Sequence, residues 1–197
     1  MQKYKLILQY EENFARLVAL GLWIKRPISP WHYLLPGMFI FDYLRRSAAV
    51  KNYSATFLFP RKLALDLSMQ AMSRTDKKEL FRQAEENIKE WLAAFKMYSE
   101  EIKDRHMEQI GILMEHYIKL LKADGDEYSL LVKNTYGNRT NYENFIEKLT
   151  AAENYVDLAI AHHLGNTEEI RKRLEAEREQ VAELRKKEVQ KIFPAQL

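Results

Sequence analysis

The chain has 197 residues, of which 47% are hydrophobic and 30% charged, and it carries a formal net charge of +3 at pH 7. It contains no cysteine, which excludes disulfides, thiolate metal sites and cysteine nucleophiles. With only 6 Gly and 5 Pro, it has few of the breakers that separate short strands, so the composition points to long helices.

Residues 3–24 form the first predicted helix, with Tyr4, Ile7, Tyr10, Phe14, Leu17, Gly21 and Ile24 at helical spacing. Its early apolar run stops at Glu11 and Glu12, too soon for a secretory leader. The chain is therefore expected to be cytoplasmic, and its two Asn-x-Ser/Thr sequons carry no weight. Lys25-Arg26-Pro27-Ile28-Ser29-Pro30 is a break, after which Ser29 is expected to cap a helix that Pro36-Gly37 interrupts. Pro60 is expected to open a further helix, Arg61–Met72.

Asp76 to Glu79 has the spacing of a capping box, and a long periodic segment follows to Lys122. Its apolar face runs from Phe81 through Ile88, Phe95 and Ile102 to Leu120, with Gly111 as the expected weak point. A short helix over Glu127–Asn134 is next. The capping box Thr140-Asn141-Tyr142-Glu143 then predicts a helix that ends at Gly165. The last helix starts behind Asn166-Thr167 and is dense in charge. Its thin seam of Ile170, Leu174, Val181, Leu184 and Ile192 predicts that it projects from the body or pairs with a single helix. The expected fold is all-α, a bundle of four to seven helices with one long central helix. Residues 1–165 would form the bundle, and 166–197 a charged C-terminal helix that is not a separate domain.

Charge is unevenly spread. Residues 1–75 hold 11 Lys/Arg against 4 Asp/Glu, a local charge of +7. The same segment is rich in aromatic residues. Trp23, Trp31, Phe39 and Phe41 lie beside Lys25, Arg26, Arg45 and Arg46, the pairing an interfacial anchor uses, with rings at headgroup depth and cations on anionic lipid. The two apolar stretches there are too short to span a bilayer, which takes roughly 20 residues. This segment is the expected docking surface for a protein partner or an anionic membrane face, peripheral to the inner side of a membrane. A buried hairpin with solvated ends is the plain alternative.

Metal chemistry of the di-iron carboxylate kind needs Glu-x-x-His pairs, and none of the five histidines has a carboxylate three residues before it. No metal or cofactor is therefore expected. No nucleic-acid motif, phosphate loop or nucleophile elbow is present. Three polar residues interrupt apolar faces: His106 among Ile102, Ile110 and Leu113, Glu153 among Leu149, Val156 and Ile160, and His163 one turn further on. All three are expected to be buried and hydrogen-bonded, since an isolated buried charge is costly. They are the candidate catalytic residues if the bundle is an enzyme or binds a ligand. That is the alternative; the leading expectation is a non-enzymatic interaction or scaffold protein, with self-association through the C-terminal helix. If the N-terminal segment docks on lipid, the chain should co-sediment with anionic vesicles and not with neutral ones, and high salt should release it.

Overall fold

The computed structural model describes residues 1–24, 38–73 and 76–194, and of residues 23–24 and 38–46 the backbone alone. The described residues form seven helices and no strand: α1 (Gln2–Ile24), α2 (Met38–Ala71), α3 (Lys77–Ala94), α4 (Glu100–Lys122), α5 (Tyr128–Tyr136), α6 (Arg139–His163) and α7 (Glu168–Ile192). The expected all-helical bundle is what forms.

Helix α4 is central and packs on α2, α6, α3, α5 and α1. Ile102, Ile110, Leu113, Tyr117 and Leu120 make its inner face, and all are fully buried. The facing residues include Leu65 and Leu67 of α2, Ile88 of α3 and Leu149 of α6. A smaller cluster of Phe14, Val18 and Val181 joins α1 to α7, with Tyr53 and Phe57 of α2 against it.

Four expectations about individual elements are corrected. The predicted helix to Lys122 is two helices, and the break lies at Phe95–Ser99 rather than at Gly111. Ser99 caps α4 by accepting from the Ile102 amide at 3.1 Å, and Glu100 and Glu101 suit the positive end of the helix. Lys96 turns the chain with φ 57°. Apolar periodicity hid this break, because Phe95 and Tyr98 continue the stripe in sequence while both are exposed in the fold.

Pro60 does not open a helix; it lies inside α2. An interior proline costs about 3 kcal/mol or more. Packing on both sides of it opposes that cost: Phe59 stacks on Trp91 at 4.9 Å, and Arg61 is buried among ion pairs. Helix α6 is capped by Asn138 rather than by Thr140, with Asn138 Oδ1 accepting from the Asn141 amide at 2.9 Å. Gly137, at φ 72°, ends α5, and with Asn138 it makes up the whole linker, so Thr140 is already inside the next helix.

Helix α7 packs on α1, α6 and α5 rather than projecting. Its N-terminal turns are exposed, but Val181, Arg185, Val189 and Ile192 are buried. At Gly21 the two helices come so close that an added Cβ would lie 2.1 Å from the Gln180 carboxamide carbon. The seam is thin because part of the buried face is polar, and truncation after Gly165 would strip the bundle of that face.

Gly111 lies in the interior of α4, and an added Cβ there would meet nothing within 4 Å. The glycine only adds freedom to the unfolded chain. Gly111→Ala should raise stability by roughly 0.5–1 kcal/mol, read as a higher urea midpoint with an unchanged slope.

Candidate functional site

The site is built on charged residues that stand singly on apolar helix faces. Arg61 of α2 is 4% exposed, too buried for an unpaired guanidinium. It donates from Nη1 to Glu11 Oε2 of α1 at 3.0 Å and from Nη2 to Glu153 Oε1 of α6 at 2.5 Å. The Tyr117 hydroxyl of α4 donates to the other Glu11 oxygen at 2.7 Å. Arg185 of α7 closes on Glu153 from the far side, Nη1 to Oε2 at 2.8 Å and Nη2 to Oε1 at 2.9 Å, and also donates to the Thr150 hydroxyl at 2.6 Å. Phe57 and Phe14 flank the Arg61 guanidinium, with ring centroids 4.8 and 5.4 Å away.

Both ends of this chain of contacts are neutralised. Burial pushes the Glu153 carboxyl up, but Arg185 and Arg61 outweigh it and hold it below the usual range. Burial likewise acts against the charge on Arg61, and Glu11 and Glu153 overcome it. Arg61 and Glu153 therefore stay ionised, and the contacts around them join α1, α2, α4, α6 and α7.

Beside Glu153 lies a cavity of about 200 Å³ between α2, α3, α4, α6 and α7. Its walls are mostly apolar, with Phe57, Pro60, Trp91, Val156, Ile160 and Val181 among them. His106 lines it as well. The imidazole is 5% exposed and stands edge-on to Trp91 with ring centroids 5.3 Å apart. Its Nδ1 pairs with Gln109 Oε1 at 3.2 Å, so Nδ1 carries the proton and Nε2 is the acceptor. That Nε2 is buried and has no hydrogen-bond partner. Burial lowers the ring's pKa to about 4, which keeps it neutral at pH 7.

Two more carboxylates line the cavity. Asp157 pairs with Arg178 at 2.8 Å, yet burial lifts its pKa to about 6. Glu177 is lifted to about 7, again chiefly by burial. The Tyr53 hydroxyl acts on Glu177 at close range but makes no hydrogen bond of ordinary geometry.

His106 and Glu153 therefore share one cavity. His163 does not join them: it is exposed at the last residue of α6, so the expectation of burial fails there. Of the expected docking residues, Trp23, Lys25, Arg26, Trp31, Phe39, Phe41, Arg45 and Arg46, either the whole residue or its side chain lies outside the described residues. Sequence reasoning missed Glu11, Arg61, Arg185, Asp157 and Glu177. It also passed over His116, which is buried against Phe145 and paired through Nδ1 with the Tyr136 hydroxyl at 2.7 Å.

Among the described residues no group of three or more His, Asp or Glu could hold a metal ion. None of the described helices is long and apolar enough to cross a membrane. Comparison with known proteins matches no family model, no curated protein and no solved structure. The functional reading rests on the site alone.

Arg61 holds two carboxylates that have little other access to solvent. Arg61→Ala should cost about 3–5 kcal/mol in urea unfolding, because it strands buried charge. Glu153→Gln keeps the shape and an acceptor, and should cost less than Glu153→Ala. Equal costs for the two Glu153 variants would show that packing, not polar pairing, is what the residue supplies.

Proposed function

We propose that the chain is a ligand-binding helical bundle that holds a small, largely apolar molecule in the cavity beside Glu153. The observation that carries this reading is the buried, unpartnered Nε2 of His106 on the wall of that cavity. A buried acceptor without a partner costs about 1–3 kcal/mol, which a bound donor would recover.

Size and lining agree with this. An apolar cavity of roughly 150 Å³ holds a benzene-sized guest in other proteins, so about 200 Å³ accommodates one substituted ring. Trp91 and Phe57 provide ring faces. The ion pairs of Arg61 and Glu153 tie the helices together along one wall of the cavity, so it is bounded by elements that cannot easily close on it. No catalytic step is assigned: the ionised Glu153 is committed to two guanidiniums and is a poor proton carrier.

Toluene tests the reading directly. Saturating toluene should raise the melting temperature, because a ligand at 100 times its Kd stabilises the fold by about 2.7 kcal/mol. Val156→Phe, which puts a ring into the cavity from α6, should abolish the shift. A toluene response that survives in Val156→Phe, or no binding of toluene, benzyl alcohol or benzylamine by the unsubstituted chain, would remove the basis for this function.

A further inference from the structure

We propose that the cavity selects an organic ammonium, a primary amine carried on a small aromatic or aliphatic body, with its charge set against Glu177. This rests on the ligand-binding reading above and names the chemical class of the ligand.

The charges around the cavity leave one carboxylate over. Glu11 and Glu153 are matched by Arg61 and Arg185. Asp157 is matched by Arg178. Among the described residues no cation forms an ion pair with Glu177; Arg178 acts on it only from a distance. A lone carboxylate at the wall of an apolar cavity fits a cationic guest, because the guest supplies the missing charge and leaves the cavity neutral.

A second, independent observation agrees. Of the buried side-chain atoms without partners among the described residues, His106 Nε2 and the Tyr53 hydroxyl belong to the cavity lining. His106 Nε2 is bare, as described, in a side chain 5% exposed. Pro60 has no N–H, so the Thr56 carbonyl one turn back lacks its usual helical donor, and both residues line the cavity. The Tyr53 hydroxyl can turn to either role. A guest that only donates suits this set, and an ammonium has three donors and no acceptor. An anionic guest would face Glu177, Asp157 and Glu153 with no free guanidinium to receive it.

Binding also has a protonic consequence. Tyr53 of α2, Asp157 and Glu153 of α6, and Arg178 beside it on α7 act on the Glu177 carboxyl, whose pKa of about 7 leaves it part-protonated at neutrality. An ammonium favours the ionised form, so amine binding should release protons near pH 7 and tighten as pH rises from 6 to 8.

The experiment compares toluene, benzyl alcohol and benzylamine by calorimetry on the full chain at pH 7.5, with and without Glu177→Gln. Benzylamine should bind about tenfold tighter than benzyl alcohol, and Glu177→Gln should erase that difference while leaving toluene binding intact. Benzylamine no tighter than the alcohol would overturn the amine assignment, and toluene binding in the same series would leave the cavity reading standing. An amine preference that persists in Glu177→Gln would overturn the role of Glu177. Failure of all three probes to bind would overturn the ligand-binding reading and the amine assignment together.

Discussion

Arg61 must be paired, and much of the bundle is arranged around that requirement. A guanidinium cannot shed its proton to escape burial, as a lysine can. It therefore draws carboxylates from two directions, Glu11 from α1 and Glu153 from α6. Glu153 then carries more negative charge than one half of Arg61 satisfies, and Arg185 completes it from α7. Tyr117 fills the free oxygen of Glu11 from the centre of the core. Each helix is placed by a group that a neighbour would otherwise leave unpaired. Such a network adds little net stability over an apolar equivalent, but it penalises any other packing of these helices by stranding charge. Here it fixes the register of α7, whose apolar seam is too thin to do so alone.

The cavity follows from the same arrangement. Helices α2, α6 and α7 are held at Arg61, Glu153 and Arg185, and on the side facing α3 and α4 they diverge around Trp91 and His106. Closing that space would move a side chain of the ion-pair chain. The interior of a folded domain normally fills such space with side chains at high density. Its persistence next to bare acceptors separates two kinds of buried polar group in this molecule. Those in the Arg61 chain and the His116–Tyr136 pair are satisfied internally and serve the fold. His106 Nε2 has no hydrogen-bond partner, and among the described residues Glu177 has no ion-pair partner.

Sequence reasoning reached the fold class and most elements because periodicity and caps are local signals. Asp76, Thr167 and the glycine after α6 were legible as caps, and the structure uses them. The split between α3 and α4 was not, because Phe95 and Tyr98 keep the helical spacing through a turn. Pro60 misled for the opposite reason: its local preference for a helix start was overridden by packing on both of its neighbours. A smaller part of the site was legible as well. His106 and Glu153 stood out as polar residues on apolar stripes. The same rule extends to Glu11, four residues after Ile7 and three before Phe14. It extends to Arg61 between Phe57 and Leu65, and to Arg185 between Val181 and Val189, each four residues from its neighbours. Those interruptions were visible but not counted, since a charged residue near a helix face is more often solvated.

His163 marks the limit of that rule. Its wheel position is as good as that of His106, yet one is exposed and the other buried. The wheel gives direction around an axis and says nothing of whether a neighbour reaches that height along it. His106 lies in the second turn of a helix flanked by α3, with Trp91 placed to meet it. His163 lies at the last residue of α6, on a side that stays exposed. Pairing between elements is the information a single helix cannot carry, and it also decides which carboxylates are matched. Glu153 and Glu177 differ little in local sequence, since each lies in a charge-bearing amphipathic helix. Two guanidiniums reach the first and, among the described residues, none forms a pair with the second, so that neighbours rather than local sequence decide which carboxylate ties the helices together.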